Sequence, residues 1–263
     1  MHVVNALGFE LDHCDDPLVY KRMCDRLAEI DLNLAQEVAE LVGGDIPQEQ
    51  KRANHGKKGK GLSQFDYMPE KPTIATRRIA ILIADGYDPV AYNGIKAAIT
   101  AAGALPFTIA PKRKNILTAG EQTDDGTKGV FPDHNLEGMR STMFDSVFVP
   151  GGAASVETLR KNGRALHWVR EAFGHLKAIG ATGEAVAFVR DACQLPGVSF
   201  STSGDVVNSY GVVTSSQVQP QSFKESVSIA KEAKDFVDAY FYEISQHKNF
   251  ERELAGLNNM VAY

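Results

Sequence analysis

Gly180-Ala181-Thr182-Gly183-Glu184 closes one apolar run and opens another, and its residue types are the most suggestive of chemistry in the sequence. Small residues in this pattern suit a sharp strand–turn–helix, the elbow that pushes a strained nucleophile into a cleft. A nucleophile needs an oxygen, sulfur or nitrogen with a base in reach. Ala181 offers only a methyl group. Thr182 offers a hydroxyl, but after it the sequence contains a single histidine, His247. Two other turns are candidates to border the same cleft. Gly151-Gly152 follows Pro150, and adjacent glycines let backbone N–H groups face an oxyanion; the plainer reading is a tight turn that needs unusual φ values. Asp88 precedes Pro89 and reads first as a helix N-cap and second as a site carboxylate. Gly151, Gly152, Gly183, Glu184 and Asp88 are therefore the candidate lining of an anion or ligand cleft. Ser199, Ser201, Thr202, Ser203 and Asp205 read as turn-forming hydroxyls rather than a serine-centred site.

Other chemistries lack their motifs. No G-x-G-x-x-G joins a strand to a helix, and no Walker-type G-x-x-x-x-G-K-[ST] occurs, so dinucleotide and nucleotide phosphates are not expected. Cys14, Cys24 and Cys193 have no paired spacing, which excludes a disulfide framework and a zinc motif; Cys24 and Cys193 read as packed, Cys14 as a loop thiol. His134, His167 and His175 have no metal-ligand spacing. A net charge of −5 across 263 residues provides no footprint for nucleic acid or for anionic membranes. No apolar run reaches the ~20 residues needed to span a bilayer. Met1-His2-Val3-Val4-Asn5 does not read as a signal peptide. The composition, 43% apolar and 23% charged, is that of a soluble globular protein and leaves its compartment open.

These residues need elements to hold them, and three regions are legible. Residues 1–44 read as two helices. Asp16-Pro17 starts one, with Met23, Leu27 and Ile30 at helical spacing; Asp31 starts another, with Leu34, Val38 and Leu41, and Gly43 is placed to cap its end. So small a pair needs a partner surface. Residues 45–76 read as an extended linker, with Lys51, Arg52, Lys57, Lys58 and Lys60 among glycines, followed by Pro69 and Pro72. Residues 77–263 alternate strands and helices. Ile79–Ala84, Leu105–Ala110, Ser146–Val149 and Leu176–Ala181 are expected strands, and Val198–Ser201 and Val212–Val213 weaker ones. Helices are expected from Asp88, over Arg164–Phe173, from Gly183 through Cys193, and from Phe223 to Lys248 with Val227, Ala230, Phe236, Val237 and Phe241 on its apolar side. This rhythm predicts an α/β, doubly wound, mostly parallel sheet with helices on both faces. Ligands would then bind beyond the carboxyl ends of the strands, where the elbow, Gly151-Gly152 and Asp88 fall.

Ile79–Gly86, the Pro150-Gly151-Gly152 turn and the Gly180–Glu184 elbow together resemble the intracellular-protease/deglycase branch of the class I glutamine-amidotransferase-like, flavodoxin-like fold. In active members of that family the elbow carries a cysteine, here matched by Ala181. A histidine follows at once, matched by Thr182, or about twenty residues later, near Ser201; a supporting glutamate falls at Ala91. The resemblance thus implies a degenerate site without the thiol chemistry. Val3–Leu11 and the helix pair ending Ala39-Glu40-Leu41-Val42-Gly43 are similar to the end of the core in large-subunit catalases, which continue into a linker and such a domain. That resemblance implies a tetrameric, hence homo-oligomeric, parent that decomposes hydrogen peroxide with haem held in its preceding core. It also implies partners in that core and the other subunits, and unfolded client proteins if the domain acts as a chaperone. Tyr20, Tyr67 and Tyr92 lie in contexts unlike a haem-ligating segment, so no haem or other cofactor is expected on this chain.

Overall fold

The computed structural model describes residues 2–53, 56, 59–62, 64–67, 71–120, 129–194, 197–217, 229–230 and 233–261. Lys57, Lys58, Pro69, Phe223 and Val227, which the expectations above include, lie outside them. The chain divides into two compact units, Met1–Met68 and Pro69–Tyr263.

Among its described residues, the first unit has three α-helices where two were expected: α1 (His2–Leu11), α2 (Pro17–Leu27) and α3 (Leu32–Val42). Asp16 accepts from Leu18 N and Asp31 from Leu34 N, so both expected caps form, each contributing ~1 kcal/mol. Gly43 ends α3 in the left-handed conformation. The additional helix, α1, buries Val4, Gly8 and Leu11 at i, i+4 and i+7. Gly8 looks like a helix breaker, yet it is used for space: a Cβ there would lie 2.2 Å from Leu41 Cδ2. Val4, Leu11, Leu27, Ala35 and Val38 share one apolar cluster. A short 3₁₀ turn, Gln64–Tyr67, interrupts the stretch expected to be extended throughout.

The second unit is an α/β sandwich. Its strands are β1 (Arg78–Leu82), β2 (Leu105–Ala110), β3 (His134–Asn135), β4 (Ser146–Val149), β5 (Ala178–Thr182), β6 (Val207–Ser209) and β7 (Val212–Ser215). They form one sheet in the order β3-β2-β1-β4-β5-β7-β6, parallel except for the β6–β7 pair. Without the short edge strands β3 and β6, the order reads second-first-third-fourth-fifth, the doubly wound flavodoxin-like arrangement. Side chains alternate between the faces, as the two-residue period of a strand requires. Ala80, Leu82, Val147, Val149, Ile179 and Ala181 fall in one core. Ile79, Ile81, Phe148, Ala178 and Val213 fall in the other. Both faces are therefore buried, which is why the strands read as continuous apolar runs.

The helices of this unit are α4 (Pro89–Ala101), α5 (Ala153–Arg160), α6 (Gly163–Gly174), α7 (Ala185–Cys193), α8 (Phe236–Ser245) and α9 (Phe250–Leu254). Two expectations need correction. Helix α8 begins at Phe236 rather than Phe223, because Asp235 is extended and its side chain accepts from Val237 N, an N-cap within the expected helix; Ala230 is not helical. Val198–Ser201 is not a strand, since Ser199 N and Ser201 N donate to the hydroxyls of Ser209 and Thr214 instead of to a neighbouring carbonyl ladder. Helix α5 was not foreseen; its N-cap is Gly152, which offers no capping side chain. Among the described residues, no helix is long and apolar enough to cross a membrane.

Candidate functional site

The sheet reverses its winding between β1 and β4, and the crevice outside the carboxyl ends of those strands is where this architecture binds ligands. The chain brings three turns together there. Gly86 follows β1, Gly151-Gly152 follow β4, and Gly183 follows β5; Gly86, Gly152 and Gly183 have φ values of +85°, +111° and +57°.

Backbone groups in these turns are committed to one another. Asp88 N donates to Gly151 O at 2.9 Å. The Asp88 carboxylate accepts from Val90 N at 2.8 Å and Ala91 N at 3.3 Å, which makes it the N-cap of α4. Gly152 N, the donor an oxyanion would require, donates instead to Glu184 Oε2 at 2.9 Å. Gly183 N donates to Ser215 O at 2.9 Å. The exposed Glu184 carboxylate thus already takes up the Gly152 N–H.

Ala181, Ala91, Ser201 and Thr182 lie within the fold. Ala181 is wholly buried and belongs to the same apolar cluster as Ala185, Val186 and Val149. Ala91 is also wholly buried, in the first turn of α4. Ser201 is tied to β7: its N–H donates to Thr214 Oγ1, and its hydroxyl accepts from Ser216 N, both at 2.9 Å. Through Thr214, the register partner of Ala181, it is anchored to the strand beside the elbow. Thr182 ends β5 with its Oγ1 buried and without a hydrogen-bond partner among the described residues. Among the described residues, none accepts its proton, as nucleophilic use would demand.

An unpaired buried hydroxyl costs about 1–3 kcal/mol. Thr182→Val, which replaces that hydroxyl by a methyl, is therefore expected to stabilise the fold by ~1 kcal/mol in urea denaturation. Destabilisation beyond ~1 kcal/mol would reveal a partner for the hydroxyl.

The remaining candidates lie elsewhere. Cys24 and Cys193 are buried and Cys14 is partly exposed, all as free thiols; burial pushes the Cys193 thiol up to about 12. His134 in β3 stacks on Phe107 in β2, and His167 Nε2 lies 3.7 Å from Glu171 Oε1 on α6. Among the described residues, no three His, Cys, Asp or Glu side chains are grouped to hold a metal. An open hollow of about 150 Å³ at this end of the sheet lies beside β1 and β2, lined in part by Asp85, Lys112, Lys114 and Thr158. Asp85 there already accepts from Leu117 N and sits 3.6 Å from Lys114 Nζ.

A second polar cluster was not foreseen. Arg78 at the start of β1, Asp145 before β4 and Lys177 before β5 meet His247 and Lys248 at the amino-terminal edge of the sheet. Its members are up to 170 positions apart, and the only local signal was a charged residue preceding each apolar run.

Residues 75–240 match the C-terminal domain found in long catalases, and residues 1–42 match the catalase-related immune-responsive family. Catalase-1 of Neurospora crassa is 56% identical over 262 residues, covering 100% of this chain and 35% of that protein. Catalase A of Aspergillus fumigatus is 54% identical, covering 100% of this chain and 36% of its own length. Catalase HPII of Mycobacterium avium is 33% identical, over 87% of this chain and 32% of that protein. The chain therefore spans about a third of the length of these curated relatives. A two-domain protein of Anabaena variabilis containing DJ-1/ThiJ/PfpI-like and ferritin-like domains aligns with a TM-score of 0.48 and 17% identity, over 53% of this chain and 44% of that one. The fold assignment rests on the strand order rather than on this likeness. With residues 75–240, more than half of the chain, matched by that family and relatives of 54–56% identity aligned over all of it, the chain belongs to the C-terminal domain family of long catalases.

Proposed function

We propose that this chain is a non-catalytic accessory part of a hydrogen-peroxide-decomposing catalase, that it stabilises the catalase tetramer, and that it acts as a chaperone for unfolding proteins. The observation that carries the first part is the burial of the Ala181 methyl in apolar packing, with Ala91 equally buried and Gly152 N occupied by Glu184. A hydrolase or deglycase would need a titratable group at those positions, and each has been replaced by carbon or sealed by a hydrogen bond. Haem chemistry belongs to the preceding core of the full-length protein in this reading, and this chain holds no cofactor.

The stabilising and chaperone roles rest on the first unit. Val3, Phe9, Leu18 and Leu41 on the three helices, and Ile30 in the turn after α2 rather than on that helix as expected, are large apolar side chains that remain 45–65% exposed. Exposed large apolar side chains, where they gather as Phe9 and Leu41 do, mark a place where another protein packs. Phe9 and Leu41 also border a hollow of about 380 Å³ with Asn5, Gly8 and Asp12.

The test is a client-aggregation assay. The intact chain is expected to suppress aggregation of a thermally unfolding enzyme, and deletion of residues 1–44 is expected to remove most of that protection. Undiminished protection after the deletion would exclude this surface, and no protection by either form would remove the chaperone role. For the tetramer, truncating the full-length catalase before this chain should lower its dissociation temperature by light scattering; an unchanged temperature would remove the stabilising role.

A further inference from the structure

We propose that the amino-terminal edge of the sheet, the end opposite the elbow, carries a binding site for a small doubly charged oxyanion of the phosphate class. β1, β4 and β5 are adjacent and parallel, so the residues at their starts converge at one end. There they line a hollow of about 340 Å³ with Arg78, Lys177 and Lys248 as cations, Asp145 as the carboxylate, and His247 and Met143 beside them.

The cations retain unused donors. An ammonium has three N–H groups. Lys177 spends two of them, on Ser141 O at 2.9 Å and on Phe144 O. Lys248 spends one, on His175 O at 2.8 Å. The Arg78 guanidinium lies over the Phe107 and Phe144 rings, at 4.9 and 5.2 Å, and takes no hydrogen-bond acceptor among the described residues. Stacking on rings leaves its planar edge of donors free, the feature that suits guanidinium to oxyanions.

The acid in the hollow is occupied from its own side. Asp145 Oδ2 accepts from Arg78 N at 2.8 Å, and Oδ1 lies 3.7 Å from Arg77 and 3.8 Å from His247 Nδ1. Glu171, behind Lys177, accepts from the Ser141 N–H and hydroxyl. Three cations against one carboxylate therefore line the hollow, and Lys177 itself is buried. A buried cation with cationic neighbours is costly unless an anion joins it. Burial first, and then the charge on Lys248, pull the Lys177 amine down to about 8 against the opposing pull of Asp145 and Glu171, and a bound dianion would add to that opposing pull.

The test uses the intact chain and inorganic phosphate. At fixed ionic strength, replacing chloride by phosphate is expected to raise the thermal midpoint saturably, with sulfate acting alike and acetate much more weakly. Lys248→Ala and Arg78→Gln should each weaken phosphate binding by about tenfold or more in calorimetric titration, the equivalent of one charge-assisted hydrogen bond. Lys161→Ala removes the same charge from an exposed pair with Glu157 and should bind phosphate as the unaltered chain does. Lys177→Met is the less suitable variant, because Lys177 also ties two carbonyls. An equal rise in chloride, or unchanged affinity in both Lys248→Ala and Arg78→Gln, would overturn the site. Acetate matching phosphate would overturn its assignment to doubly charged oxyanions.

Discussion

Gly152→Ala is expected to lower the stability of the α/β unit by about 3–5 kcal/mol, combining backbone strain with overpacking against atoms that have nowhere to move. Gly152 sits at φ +111°, where an L side chain is strained whatever the space. A Cβ there would lie 2.3 Å from Gly86 O, 2.7 Å from Tyr87 Cα and 2.8 Å from Asp88 N. All three are backbone atoms in a turn that is itself fixed, because Asp88 N is bonded to Gly151 O and Asp88 caps α4. A loss of that size is a large part of the ~5–15 kcal/mol that holds a typical domain together. Urea denaturation followed by the single, buried Trp168 would measure it. Gly163→Ala is the matched control: a Cβ there meets no atom within 4 Å, and a change within ~0.5 kcal/mol is expected. Equal effects at the two glycines would show that the turn is not as tightly built as described.

Arg252→Ala is expected to cost about 3–5 kcal/mol, through a cavity and through buried carbonyl groups left without donors. Arg252 is wholly buried on α9, with its guanidinium 4.1 Å from the centre of the Phe173 ring. Its Nε and one terminal nitrogen donate to Tyr210 O at 2.8 and 2.6 Å; the other terminal nitrogen reaches Phe173 O at 2.8 Å and Lys177 O at 3.2 Å. One side chain thereby ties α9 to the β6–β7 turn, to α6 and to the start of β5. Leu176 N also donates to Phe173 O, so Tyr210 O is the acceptor most exposed to loss. Arg252→Met keeps most of the volume and loses only the bonds, and its cost should be smaller, ~1–3 kcal/mol. The same denaturation measurement compares the two variants. An Arg252→Ala cost below ~1 kcal/mol would mean that the C-terminal helix docks without this contact.

The link from these residues to function is positional. Gly152 shapes the turn at the reversal point of the sheet, and its N–H is bound by the Glu184 carboxylate. Arg252 fixes the backbone carbonyl of Lys177, whose side chain enters the basic hollow at the opposite edge. A loss of phosphate binding in Arg252→Ala without loss of the fold would therefore report on positioning rather than on contact.

Local features are legible in the amino-acid sequence by itself. Asp16, Asp31 and Asp88 cap helices, Gly43 ends one, and Leu105–Ala110 and Ser146–Val149 are strands at the residues expected, because caps, turns and period-two burial depend on neighbours a few positions away. The βα alternation is enough for a doubly wound sheet, and the small residues of Gly180–Glu184 are enough for a strand ending in a turn that leads into a helix. The start of α8 is hidden because apolar spacing continues through Asp235, whose side chain forms the cap. Helix α5 is hidden because its cap is a glycine with no side chain to recognise. What fills the elbow is decided by tertiary structure alone. Glu184 reaches Gly152 across 32 positions, and Ala181 faces the α5–α7 core through the strand's alternation. The basic hollow is likewise invisible in one dimension, since adjacency of β1, β4 and β5 in the sheet, not in the chain, brings Arg78, Asp145 and Lys177 together. Spacing along a chain encodes what a residue's own helix or strand will do, whereas charge and hydrogen-bond partners across a sheet are set by strand order.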